Sequence, residues 1–164
     1  MAAASETGGV VVNGMSLYQR DSGVANSALV VNVGPADFGA DPLAGVAFQR
    51  TYEQLAFAAG GKNYTAPAQT VASCLAGTAP VLTGTDQSVV APSYLPGVRA
   101  YALEKVLPAY VSSTLKLGLV AFGRKLEGFT GPRGLFTGVE TRPSAPRRIV
   151  RGPDHESSVC HLRS

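Results

Sequence analysis

Phe136-Thr137-Gly138-Val139-Glu140-Thr141-Arg142-Pro143-Ser144-Ala145-Pro146-Arg147-Arg148-Ile149-Val150-Arg151 is the stretch whose reading decides the fold. From Phe136 to Arg142 apolar and polar residues alternate loosely, as in a strand with one buried face. Pro143 and Pro146 bracket a Ser-Ala pair, which is a turn signal because proline fixes φ and extends the residue before it. Arg147 to Arg151 then reads as a returning strand, so the whole predicts a hairpin. Arg142, Arg147, Arg148 and Arg151 crowd four guanidinium groups onto it, with Glu140 the one acid among them. Such a cluster is either a solvated basic face or a cradle for an anionic ligand.

Outward from the hairpin, the amino-terminal third supplies the strands to pair with it. Val10–Val12 reads as a strand, with Asn13-Gly14 a strong turn pair behind it. Asn26-Ser-Ala-Leu-Val-Val-Asn-Val33 is the clearest strand pattern, and its apolar centre predicts cover on both faces. A helix follows over about 42–59. Asp41 suits its N-cap, Pro42 its first position and Gly60-Gly61 its end, with Phe48, Tyr52, Leu55 and Ala59 on one stripe. On that phase Arg50 and Glu53 face solvent. Residues 62–98 are hard to read. Gln69–Ala76 suits a short helix, and Thr78–Gly97 a loop with a strand at Ser88–Val90. A second helix over 107–126 is clearer, since Leu107, Val111, Leu115, Leu119, Phe122 and Leu126 form one apolar stripe. Gly118 inside it costs roughly 1 kcal/mol relative to alanine unless another backbone packs there. The expected fold is α+β, a mainly antiparallel sheet from 10–33 and 136–151 with two principal helices packed on it. Strands and helices do not alternate regularly, which argues against a doubly wound sheet.

Composition sets the frame. A chain of 164 residues with 45% hydrophobic and 15% charged residues has the size and make-up of one globular domain. No apolar run is long enough to span a bilayer, and Met1-Ala-Ala-Ala-Ser5 lacks the pattern of a secretory signal. Residues 1–123 carry six Lys/Arg against seven Asp/Glu, and residues 124–164 eight against four. The net positive charge therefore belongs to the last quarter. No aromatic residue is interleaved with the 142–151 arginines, so nucleic acid is not the expected partner. Cys74, among small residues, reads as a buried thiol. Cys160, His161 and His155 give three ligands where a structural zinc site takes four, and no metal is expected.

Catalytic signatures are absent. No two glycines stand at i and i+2, so the G-x-G-x-x-G dinucleotide fingerprint cannot occur. There is no P-loop, no G-x-S-x-G elbow, no H-E-x-x-H and no C-x-x-C. Both histidines lie in the last ten residues, which leaves a Ser-His-Asp triad no base in the core.

Five stretches in sequence carry a resemblance. They are Asn13-Gly-Met-Ser16, Ala25-Asn-Ser-Ala-Leu29, Asp41-Pro-Leu-Ala-Gly45 with Phe48-Gln-Arg50, Ala66-Pro-Ala-Gln69, and Thr137-Gly-Val-Glu-Thr-Arg142 with Ser144-Ala-Pro146. In that order, over about 8–72 and 94–151, the chain resembles the C-terminal-type domain of the FAD-dependent dehydrogenases (NAD(P)/FAD-dependent oxidoreductases). The resemblance implies FAD in the full-length protein, and a Rossmann FAD-binding half in the same polypeptide that is absent here. It makes residues 1–7 a disordered lead, 8–151 the substrate-side domain of an FAD-dependent oxidoreductase, and 152–164 an unrelated tail. The chain then looks like a fragment, inactive and without tight FAD binding alone, with a small-molecule substrate and no membrane partner. By the same resemblance Asn13, Ser16, Arg20, Asn26, Arg142 and Ser144 face the flavin or its substrate. Asn13 and Asn26 read equally well as ordinary turn residues, and Arg142 as the partner of Glu140 across the hairpin. Pro143 and Arg147 depart from the family, which favours Thr or Ser and an aliphatic residue there. The alternative function is a non-catalytic binding or assembly module whose basic hairpin holds an acidic partner.

Overall fold

A computed structural model describes residues 5–14, 18–83, 91–142 and 152–153. Along the chain run α1 (Pro35–Phe38), α2 (Ala44–Gly60), β1 (Ala66–Thr70), α3 (Val71–Ala76), β2 (Val98–Ala100), a 3-10 turn (Leu103–Lys105), α4 (Ala109–Gly123) and β3 (Leu135–Thr137). The fold is α+β, and both long helices lie close to where their apolar stripes put them.

The sheet differs from expectation. It has three strands in the order β2-β1-β3, parallel between β1 and β2 and antiparallel between β1 and β3. It is therefore mixed rather than mainly antiparallel. Its centre is Ala66-Pro-Ala-Gln-Thr70, every residue of it buried. That segment is illegible as a strand because it has one β-branched residue and a proline, which sheet interiors exclude. Pro67 is tolerated because it sits one residue beyond the last β1–β3 pair, Ala68 with Thr137. There it needs only an acceptor, and its carbonyl takes the Gly138 N–H at 3.1 Å.

Neither amino-terminal run is a strand. Val10, Val11 and Val12 are buried, but they are held by single bonds, Val10 N–H to the Glu53 carbonyl and Val12 N–H to the Val139 carbonyl. Residues 26–33 join no sheet among the described residues, and Val30 is 56% exposed rather than covered on both faces. Of the predicted hairpin, 135–137 is strand and 138–142 follows without strand pairing. Residues 143–151, and with them Arg147, Arg148 and Arg151, lie outside the described residues, as does the strand expected at Ser88–Val90.

The helix ends show their chemistry. Leu43 rather than Asp41 is the N-cap of α2, and the Asp41 carboxylate accepts the Leu43 N–H at 2.8 Å just ahead of it. Gly61 closes α2 in the left-handed region at φ 104°. One residue earlier, α2 meets the chain it is about to become. A Cβ on Gly60 would lie 1.7 Å from the Thr65 carbonyl oxygen, so only glycine fits. Lys62 and Tyr64 also take positive φ in this turn, which bulky residues rarely do. Tyr64 is held there by its ring against Phe57 and by the Tyr94 hydroxyl, which donates to its carbonyl at 3.0 Å. At Gly118 the outcome is plainer. The Leu29 methyls stand 3.8 Å from an added Cβ, an ordinary contact, so no close backbone demands that glycine.

Two apolar clusters result. One joins Val10, Val12, Ala56, Ala59, Ala66, Tyr94, Val106 and Val139 between α2, β1 and the chain's flanking segments. The other joins Val71, Cys74 and Leu119 between α3 and α4, with Leu29, Phe129 and Phe136 packed on it.

Candidate functional site

The most concentrated polar chemistry among the described residues is at the inner face of α2. Glu53 lies mid-helix and is 1% exposed. An ionised carboxylate in that position needs partners for both oxygens. Arg142 supplies a fork, Nε to Oε1 at 2.8 Å and Nη2 to Oε2 at 2.6 Å, and the Thr141 hydroxyl donates to Oε1 at 2.6 Å. One turn earlier, Gln49 Nε2 donates to the Thr141 carbonyl at 2.6 Å. Gln49 and Glu53 thus grip both ends of Thr141 and the side chain beyond it.

A second carboxylate extends the network to the surface. Glu6 accepts from Arg50 at 2.9 Å and stands 3.5 Å from Arg142. The Arg50 hydrogen bond, more than the Arg142 charge, holds the Glu6 carboxyl below its ordinary value. The Glu53 hydrogen bonds hold the Arg142 guanidinium above its own. The result is a charge-balanced clamp of Glu6, Arg50, Glu53 and Arg142 joining the chain's first described residues, α2 and the segment after β3.

This arrangement places the residues nominated from sequence. Arg142 does not pair with Glu140; its fork is committed to Glu53, with 31% of the side chain exposed. The Val12–Val139 bond sets Asn13 beside the segment that leads into Arg142. The Asn26 carboxamide oxygen lies 3.3 Å from where a Cβ on Gly14 would be, so Asn26 lies against Gly14. Arg20 is exposed just after the turn at 18–19, with φ 55°. Ser16, Ser144, Cys160, His155 and His161 lie outside the described residues. Asn13, Asn26 and the approach to Arg142 are therefore brought together, and Arg20 is not placed with them by any contact.

Sequence reasoning puts Glu53 on the wrong side of α2, misled by the large apolar residues. Leu55 is 43% exposed, while the buried face runs through Gly45, Glu53, Ala56, Ala59 and Gly60, of which only Ala59 lies on the expected face. That stripe of small residues, interrupted by one acid, is the available signal.

The described residues do not fit the diphosphate of FAD. Such a group is bound by N–H groups at a helix N-terminus entered through a glycine-rich turn. The α2 N-terminus instead carries the Asp41 carboxylate, and α4 is entered through residues 103–108, which contain no glycine. What the described residues show is Thr141-Arg142 locked to α2 by a buried acid.

The described residues thus form an α+β domain organised about a buried ion-pair network. The chain matches the family "FAD-dependent protein, C-terminal domain-like" over residues 1–143, and it belongs to that family. An uncharacterised protein of Clostridium beijerinckii is 46% identical to it over 164 residues, 99% of this chain. The chain spans 30% of that relative's length. No helix among the described residues is long and apolar enough to cross a membrane.

Proposed function

We propose that residues 8–151 form the substrate-side domain of an FAD-dependent oxidoreductase, with the Rossmann half that holds FAD elsewhere in the full-length polypeptide. The family match carries this reading, and the length of the Clostridium relative supports it. In that setting FAD supplies the redox chemistry, while this domain's residues orient the substrate and exclude water. Asn13, Ser16, Arg20, Asn26, Arg142 and Ser144 are the groups that, on this reading, hydrogen-bond the flavin or its substrate. Arg142 is fixed by its fork to Glu53 and keeps 31% of its side chain exposed for that contact. The substrate is a small molecule.

The domain alone binds FAD weakly, at most along one edge of the ring system, and is inactive. The test is direct. The 164-residue chain is incubated with FAD, passed over a sizing column and its visible spectrum recorded. Colourless protein is the expected result; stoichiometric yellow flavin on the protein would overturn the proposal.

A further inference from the structure

We infer that residues 27–33 are an edge strand awaiting a partner, and that the partner is a β-strand from the part of the full-length polypeptide outside these 164 residues. The inference rests on the reading that this domain works within a longer chain. Three observations carry it.

First, Ser27-Ala-Leu-Val-Val-Asn-Val33 has the strongest strand composition in the sequence, three valines and a leucine in seven residues. Second, residues 25–34 run without a turn, bend or helical residue, so the chain is extended. Yet the backbone N–H and C=O groups of 27–33 make no backbone hydrogen bond among the described residues. An extended, β-prone run with unpaired backbone is the form in which one strand adds to another. Third, the run is anchored on one face only. Leu29 packs on the Val71–Cys74–Leu119 cluster and lies over Gly118 of α4, and Val31 on the same face is partly buried, while Val30 on the opposite face is 56% exposed. One face is thus docked, and the opposite face and the backbone edge are ready for cover.

The size of the surface selects the occupant. A seven-residue edge is far smaller than the roughly 800 Å² per partner that stable association between separate chains needs. A strand tethered in the same polypeptide arrives at an effective concentration on the order of millimolar and needs no such area. About 70% of the Clostridium relative lies outside the region matched here, which provides the strand.

Hydrogen exchange read by mass spectrometry tests this on two proteins as they exist, the 164-residue chain and the full-length Clostridium relative. Amides of 27–33 should exchange at nearly the unprotected rate in the short chain. In the relative, the aligned amides should be slowed about 100-fold or more, as paired strands are. Fast exchange in both would overturn the inference. So would protection in the short chain, whether at doubled sedimenting mass, meaning a second copy covers the edge, or as a monomer, meaning the chain covers it itself. The visible spectrum of the same full-length sample reports separately on the flavin. A colourless relative with a protected strand would sink the proposed function and leave the strand standing.

Discussion

Arg142 is a ligand candidate by sequence, and the structure gives it a second occupation. Truncating it leaves Glu53, 1% exposed, as a buried charge without its fork. Arg142→Ala should therefore destabilise the domain by about 3 kcal/mol, and Arg142→Lys by less, because lysine keeps the charge but loses the fork. Urea denaturation of the purified chain measures both. Equal stability of wild type and Arg142→Ala would mean that the pair contributes nothing. A loss of the proposed activity in an Arg142 variant of the full-length protein is thus interpretable only beside its stability. Glu6 is the exposed end of the same network, and its behaviour is set by pH. Its carboxyl is held below the ordinary carboxylate value, chiefly by the Arg50 hydrogen bond. The folded value being depressed, its contribution is complete above the unfolded value, near about 4.3, and is lost as pH falls through the folded one. Wild type should exceed Glu6→Gln in stability at about pH 7, and the gap should narrow as pH falls below the ordinary carboxylate value of about 4.3. Thermal melts of the two proteins across that range decide the matter. A gap that widens in acid would contradict the assigned geometry.

Among the elements, the joint between α2 and β1 tolerates least. Adding one methyl at Gly60 puts a carbon 1.7 Å from the Thr65 carbonyl oxygen, so helix or strand must move. β1 is the strand on which both neighbours pair, and it cannot move without them. Gly60→Ala should cost about 3 kcal/mol or more, against the gain of up to about 1 kcal/mol usual when glycine becomes alanine in a helix. Circular dichroism melting would show it, and an unchanged midpoint would refute the close approach. Gly118→Ala, with its Cβ at an ordinary 3.8 Å from Leu29, serves as the control and should be neutral or stabilising. Element by element, legibility follows side-chain size. The α4 stripe of Val111, Leu115 and Leu119 is buried as its spacing implies, because large aliphatics at helical period have only one good place to go. Phe122, in the last turn, is 43% exposed, and Leu126, expected on the same stripe, is 51% exposed because the helix has already ended at Gly123. In α2 the rule misfires. There the close-packed face is made of glycine and alanine, and the larger Leu55 is left outside. β1 escapes for the same reason, its Ala-Pro-Ala core carrying no strand signal although Ala66 and Ala68 are fully buried. β-Branched content points instead to 26–33, which pairs with no strand among the described residues. Of the candidate site, Asn13, Asn26 and Arg142 come from the family resemblance; Glu53, the residue that locks the site together, comes from none of the patterns.

For the molecule as a whole, the clamp's place in the sequence governs when it forms. Its bonds join residues 88, 89 and 92 positions apart, and Arg50 reaches Glu6 across 44. The α2–β1 joint, by contrast, closes within a handful of residues, Gly60 against Thr65. Contacts of long separation must overcome the loop-closure entropy of much of the chain before they return anything. The clamp is therefore a late event, absent from the folding transition state, and its worth lies almost wholly in how slowly the native state comes apart. In a chevron of Arg142→Ala, the refolding arm should superimpose on wild type while the unfolding arm rises by about 100-fold, the rate equivalent of about 3 kcal/mol. A slowed refolding arm would place the clamp in the nucleus instead. A buried acid that reads as an equilibrium lock is, on this timescale, the catch that sets the lifetime of the fold.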